Sequence, residues 1–384
     1  MIMEYRPIRV IISGGGTGGH IFPAVSIAGK LKELNPDTEI LFVGAEGKME
    51  MEKVPAAGYR IVGLPMLGLQ RQLSWNNIKN DIKVPFKVLQ SIHRAGRIIH
   101  GFKPDIAIGV GGYASAPLLW KATRKHVPAL IQEQNGFAGL TNKILSKKVG
   151  CICVAYEGME KFFPADKIVF TGNPIRKEMV PATPEMVAEG MEYYGLDPQK
   201  KHIFIVGGSL GSRTLNDAMK KWILDSCPGG EDIEVIWQCG KYYKPQIDAF
   251  MEEARRNAPL AGIHHSDFIR RMDLAYAVAD AVVSRSGASS VSELCAVHKA
   301  SILVPSPNVA EDHQTHNAMA LVRKNAAVLV KDAEASARMM PEAVALVHDP
   351  DRIAGMEANI APLARMDAAM DIAKEVYKLL DKNE

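Results

Sequence analysis

A histidine directly follows a run of glycines near the start of the chain. Ser13-Gly14-Gly15-Gly16-Thr17-Gly18-Gly19-His20 lies between the apolar run Val10-Ile11-Ile12 and Ile21-Phe22-Pro23-Ala24. The pattern predicts a strand, a turn and a helix start. Glycines there permit positive φ and present bare amides, and the positive helix end favours an anion, so phosphate or diphosphate is the expected guest. The same helix end disfavours imidazolium, which leaves His20 neutral and able to accept a proton, as a general base must. The plainer reading is a histidine that caps the turn or bonds a neighbouring carbonyl.

A related turn, Gly207-Gly208-Ser209-Leu210-Gly211-Ser212, follows the strand-like run Ile203-Phe204-Ile205-Val206 about half the 384-residue chain later. The chain reads as two similar halves. A third small-residue turn, Ser284-Arg285-Ser286-Gly287-Ala288-Ser289-Ser290-Val291-Ser292-Glu293, leads into Leu294-Cys295-Ala296 and forms a second anion-binding edge. The Glu293 carboxylate, one turn into that helix, can accept both hydroxyls of a ribose diol, or simply be a favourable acid in a first helical turn. Further on, Glu311-Asp312-His313-Gln314-Thr315-His316-Asn317-Ala318 gathers amides that suit sugar hydroxyls, since each both donates and accepts.

Gly14, Gly16 and Gly19 also satisfy the dinucleotide pattern G-x-G-x-x-G. The ribose-binding acid that should end the next strand is missing: Ile40-Leu41-Phe42-Val43 runs into Gly44, with Glu46 two residues later. That mismatch argues against a dehydrogenase. Asp312, His313 and His316 lack a third firm metal ligand, Asp349-Pro350-Asp351 reads as a turn opening a helix, and Cys151 and Cys153 read as one buried face of a strand. No catalytic metal is expected.

The elements that must position these groups alternate. Strands are predicted at residues 10–12, 40–43, 106–110 and 129–132, with a helix from about 23 to 34. The second half repeats the rhythm at 203–206, 234–238, 281–283 and 300–304. This is the pattern of doubly wound α/β sheets, in which ligands gather outside the carboxyl ends of the strands. Gly111-Gly112-Tyr113-Ala114-Ser115 and Glu133-Gln134-Asn135-Gly136 fall at such ends. Asn173-Pro174 marks the hinge. The expected domains are residues 1–172, residues 173–360, and a C-terminal helix over 361–384 whose apolar face could pack back on the first domain.

Composition narrows the class further. With 46 Lys+Arg against 43 Asp+Glu the balance is too even to imply nucleic acid binding. Five cysteines without CxxC spacing, and no charged-then-apolar leader, suggest a reducing cytoplasm. No run is long and apolar enough to span a bilayer.

Taken in order, Gly15-Gly16-Thr17-Gly18-Gly19-His20, Gly111-Gly112-Tyr113, the segment Glu133-Gln134-Asn135-Gly136-Phe137-Ala138-Gly139, Gly172-Asn173-Pro174-Ile175-Arg176, Gly207-Gly208-Ser209, Arg285-Ser286-Gly287-Ala288 with Glu293, and Asp312-His313-Gln314 with Asn317 resemble the successive motifs of the MurG family of peptidoglycan N-acetylglucosaminyltransferases, glycosyltransferase family 28. The resemblance implies a GT-B fold, two Rossmann-like doubly wound parallel-sheet domains facing across a cleft. It implies inverting transfer of N-acetylglucosamine from UDP-N-acetylglucosamine to the 4-hydroxyl of muramic acid in undecaprenyl-diphospho-N-acetylmuramoyl-pentapeptide, with no cofactor.

Carried over by motif, the donor-binding residues are Thr17, Gly18, Gly19, Asn135, Arg176, Ser209, Ile269, Ala288, Ser289, Ser290, Val291, Ser292, Glu293 and Gln314. His20 is the base candidate, with Glu133 and Tyr113 behind it. Leu210, Ser212 and Ser290 depart mildly from residues common in relatives. Rival readings are a UDP-N-acetylglucosamine 2-epimerase and a non-catalytic sugar-nucleotide-binding subunit. The lipid acceptor implies a peripheral position on the cytoplasmic face of the cell membrane. Residues 61–103 interleave apolar and basic side chains, and Trp75, Lys79, Lys83, Phe86 and Lys87 are candidates for that surface, the alternative being an ordinary amphipathic helix.

Overall fold

The computed structural model describes residues 5–66, 84–112, 114–208, 210–257 and 262–382. Two compact units divide the chain: Met1–Ile175 with Met366–Glu384, and Arg176–Arg365.

The first unit contains β1 (Arg9–Ser13), α1 (Gly18–Leu34), β2 (Glu39–Ala45), α2 (Glu50–Ala56), β3 (Arg60–Leu64), α3 (Val84–Phe102), β4 (Ile106–Gly109), α4 (Ser115–Arg124), β5 (Ala129–Glu133), α5 (Leu140–Leu145), β6 (Cys151–Val154) and β7 (Ile168–Phe170). Its seven strands pair in parallel in the order β3-β2-β1-β4-β5-β6-β7. Parallel strands need covered faces, which is why β1 reads as an unbroken apolar run. Val10 and Ile12 face α1 and the C-terminal helix Ala368–Asp381, while Ile11 faces α3 and α4.

The C-terminal helix buries Ile372, Ala373, Val376, Tyr377 and Leu380 in the core of this unit. Its Tyr377 hydroxyl donates to the Arg6 carbonyl at 3.1 Å.

The second unit contains α6 (Pro184–Tyr194), β8 (Lys201–Val206), α7 (Arg213–Leu224), β9 (Ile233–Gln238), α8 (Lys244–Asn257), β10 (Ile263–Ser266), α9 (Met272–Val278), β11 (Ala281–Ser284), α10 (Ala288–Ala296), β12 (Ser301–Leu303), α11 (His313–Val322), β13 (Val328–Leu329), α12 (Ala335–Val347) and α13 (Pro350–Ile360). Its parallel order is β10-β9-β8-β11-β12-β13, the arrangement of the first six strands of the other unit. Ile203, Ile205, Val235 and Trp237 meet α7, α8 and α12 on one face. On the other, Phe204 meets Tyr276 of α9 edge to face.

Two differences from the sequence reading have physical causes. Helix α1 begins at Gly18 rather than near Pro23, because Thr17 is extended and its carbonyl already accepts the amides of His20 and Ile21. Strands β3, β7, β10 and β13 went unread. Each lies at a sheet edge, where one-sided pairing needs no long apolar run.

Candidate functional site

In the first unit three loops converge at the carboxyl edge of the sheet. The turn after β1 touches the loop after β4: the Val110 amide donates to the Ser13 carbonyl at 2.7 Å, and Gly112 lies so close on the Gly15 carbonyl that no side chain fits. Gly111 has φ +87° and rests against the His20 ring; a Cβ there would lie 2.6 Å from His20 Cδ2. From the third loop, Gln134 Nε2 donates to the Val110 carbonyl at 2.9 Å.

His20 lies half-buried in the first turn of α1. Its Nδ1 is 3.1 Å from the Gly15 carbonyl and 3.2 Å from Thr17 Oγ1. A carbonyl only accepts, so Nδ1 carries the proton and Nε2 is the acceptor of the ring. Thr17 and Gly19 beside it are exposed, and Gly18 is half-buried.

Glu133 differs from His20 in every respect. It is 2% exposed, and both its oxygens are occupied: Oε1 accepts from the Asn135 amide at 3.2 Å and its Nδ2 at 3.3 Å, Oε2 from the Gly139 amide at 3.0 Å and Asn142 Nδ2 at 2.9 Å. Burial pushes its carboxyl up, against the lowering effect of those four donors. The carboxylate fixes the loop leading into α5 and thereby orients Asn135. Tyr113 lies outside the described residues.

The second unit repeats the convergence. Ser212 caps α7, its hydroxyl accepting from the Leu215 amide, and Arg285 braces that cap by donating to Ser212 Oγ at 3.0 Å and pairing with Asp332. Gly211 and Gly240 pack backbone to backbone with φ of +79° and +90°, leaving no room for a side chain on either. Gln238, at the end of β9, donates from Nε2 to the Gly208 carbonyl at 2.7 Å and accepts from the Ile269 amide at 3.3 Å. One buried amide thus holds the glycine turn and the Ile269 backbone together. Ser209 lies outside the described residues.

Gly287 caps the start of helix α10, and helix geometry leaves the amides of Ala288, Ser289 and Ser290 without an acceptor inside the helix. These three residues and Ser292 are half-buried. Val291 departs from expectation: its side chain is in the core and its amide bonds the Gly287 carbonyl, so neither is presented outward. Glu293 Oε1 accepts from Arg176 Nε at 3.1 Å and Nη2 at 2.9 Å, and Tyr276 donates to Oε2 at 3.4 Å. Burial raises the Glu293 carboxyl above the usual range, against Arg176. Gln314 Oε1 accepts from the Ser306 amide at 2.8 Å, which turns its NH₂ group away to donate elsewhere.

Sequence reasoning missed Gln238, Tyr276 and the brace formed by Arg285 and Asp332. A polar residue at the carboxyl end of a strand was the available signal for Gln238. Among the described residues no group of three or more His, Cys, Asp or Glu is arranged to hold a metal ion. Cys151 and Cys153 are buried side by side on β6 with Sγ atoms 3.9 Å apart. Among the described residues no helix is long and apolar enough to cross a membrane. Phe86 and Leu89, one turn apart on α3, are 72% and 65% exposed and Lys87 is half-buried, whereas Leu64 is a core residue. Trp75, Lys79 and Lys83 lie outside the described residues.

Residues 10–154 match the glycosyltransferase family 28 N-terminal domain and residues 202–376 its C-terminal domain. A protein of Parabacteroides distasonis named UDP-N-acetylglucosamine--N-acetylmuramyl-(pentapeptide) pyrophosphoryl-undecaprenol N-acetylglucosamine transferase is 54% identical, covering 98% of this chain and all of the relative. A Bacteroides thetaiotaomicron protein of the same name is 53% identical over 98% of this chain and 99% of its own. The crystal structure of Acinetobacter baumannii MurG superposes with a TM-score of 0.76 at 26% identity, covering 97% of this chain and all of that one.

Proposed function

The chain belongs to glycosyltransferase family 28, and from that membership we infer that it moves N-acetylglucosamine from UDP-N-acetylglucosamine to the 4-hydroxyl of the muramic acid of undecaprenyl-diphospho-N-acetylmuramoyl-pentapeptide. The end-to-end match at 54% identity carries this reading. It is a step of peptidoglycan synthesis and inverts the anomeric centre in one displacement. The acceptor oxygen bonds to C1 of the sugar, the bond from C1 to the diphosphate oxygen breaks with its electron pair leaving on UDP, and the hydroxyl proton passes to a base.

His20 is the base of this reading. Its support is the tautomer set by Gly15, which leaves Nε2 as the acceptor, and its place beside amides rather than in a core. Glu133 serves as a loop anchor, since its oxygens are already committed. Negative charge on departing UDP falls to the turn around Gly208 and Ser209, the start of α7 and the first-turn amides of α10, a role that calls for no metal. Glu293, oriented by Arg176 and Tyr276, takes the ribose; the backbone at Ile269 takes the base; Gln314 donates to the sugar. Thr17, Gly18, Gly19 and Asn135 contact the donor sugar from the first unit.

The acceptor is a lipid, so the protein works peripherally at the cytoplasmic face of the membrane. The exposed Phe86 and Leu89 beside Lys87 support that surface. Replacing Lys79, Lys83 and Lys87 with Glu should weaken binding to anionic vesicles; unchanged binding would remove the surface from the reading.

The direct test is incubation with labelled UDP-N-acetylglucosamine and a short-chain acceptor analogue, with and without a chelator. UDP and a disaccharide-lipid product are expected in both. A free 2-epimer without acceptor turnover, or donor binding without any turnover, would overturn the reading. His20→Ala should lower kcat by about 10²–10⁴-fold and leave UDP affinity intact.

A further inference from the structure

The first glycine turn already holds an anion of the protein's own. Glu50, at the start of α2, is 1% exposed, yet its Oε2 accepts from the Gly16 amide and its Oε1 from the Ala45 amide, each at 2.9 Å. Its carboxylate lies where a side chain on Gly15 would have to go. The site that the sequence suggests for a phosphate is filled, in this turn, by a carboxylate 34 residues away.

The peptide that Glu50 grips has a second end. The Gly16 N–H and the Gly15 carbonyl belong to one planar unit, and the carbonyl accepts from His20 Nδ1 at 3.1 Å. We propose that Glu50 is the positioning residue of the His20 base, acting through the Gly15–Gly16 peptide as a carboxylate–peptide–imidazole relay. The inference rests on the reading of His20 as base.

Three consequences follow from the chemistry. Holding the peptide plane fixes the direction of the carbonyl, hence the tautomer and ring orientation that leave Nε2 as acceptor. A carboxylate at the N–H end polarises the peptide and strengthens its carbonyl as an acceptor. When Nε2 takes the acceptor proton, the imidazolium faces the negative end of that dipole, as the histidine of a hydrolase triad faces its aspartate. Gly112 packs on the same carbonyl.

The test uses the full chain. Glu50→Gln keeps the size of the side chain but loses the charge and one acceptor. It should lower kcat about tenfold or more, hold the donor KM within twofold, and move the acid limb of the kcat profile to lower pH, because the imidazolium loses a stabilising charge. Glu50→Asp should recover part of the loss. A residue that only supports the fold would lower the melting temperature and the active fraction with the limb unmoved, which would overturn the proposal. Should Glu50→Gln not fold, ¹⁵N spectra of His20 in the native chain decide: protonated Nδ1 with bare Nε2 supports the relay, and protonated Nε2 overturns it. Full turnover in His20→Ala would instead overturn the reading of the base.

Discussion

Glu293 is pulled two ways. Burial raises its carboxyl, while Arg176 and Tyr276 favour the ionised form. Ribose hydroxyls donate best to an ionised carboxylate, so UDP affinity should fall as acid protonates Glu293, at a higher pH than an ordinary glutamate would require. The unliganded fold responds in the opposite direction. An acid whose native pKa is raised holds its proton more tightly folded than unfolded, so its contribution to stability declines as pH rises from the ordinary glutamate value through the raised one. Calorimetric UDP titrations across that range check the first claim. Glu293→Gln should weaken binding about tenfold, or ~1.4 kcal/mol, and abolish the acid limb. A limb that survives the substitution belongs to another group. Glu293 was legible because it stands one turn into a helix after a small-residue turn. Glu50 was not, since it acts on the glycine turn from 34 residues away and its own neighbourhood looks like an ordinary helix start.

At the scale of elements, strand ends and the loops after them were readable, but the ties between loops were not. Residues 203–206 and 234–238 read as strands from their apolar runs, and β8 and β9 fill those positions. Nothing local says that the last residue of β9 reaches Gly208 and Ile269 at once. Gln238 is 3% exposed, so Gln238→Leu strands the buried Ile269 amide without its partner and takes one of two donors from the Gly208 carbonyl, which keeps the Gly211 amide at 2.9 Å. The stranded amide costs about 1–3 kcal/mol. Because Gln238 faces two backbone segments assigned to the nucleotide, the variant should raise the donor KM several-fold while acceptor KM stays put and the melting temperature drops. Steady-state kinetics with each substrate varied in turn separates these effects. An unchanged donor KM in a destabilised variant would mean that Gln238 supports the fold alone.

At the scale of the whole chain, the repeat of the glycine turns about half its length apart announced two similar halves, and the two units share one strand order over six strands. What the sequence left open was which core the last helix completes. An amphipathic face records that a helix is covered, not by what. The structure gives it to the first unit, where Ile372 is fully buried against the core of β1 and α1 and the Tyr377 hydroxyl closes on Arg6. The residues assigned to UDP, Arg176, Ile269, Glu293 and Gln314, belong to the second unit. Ile372→Ala should therefore cost about 2–5 kcal/mol and Tyr377→Phe about 1 kcal/mol, both confined to the unfolding of the first unit. Urea titrations followed by near-ultraviolet signal, with and without saturating UDP, make the distinction. The variants should unfold earlier in the transition that UDP does not shift, and bind UDP with native affinity. If Ile372→Ala weakens UDP binding as much as it lowers stability, the helix serves both units and its assignment to one core is wrong.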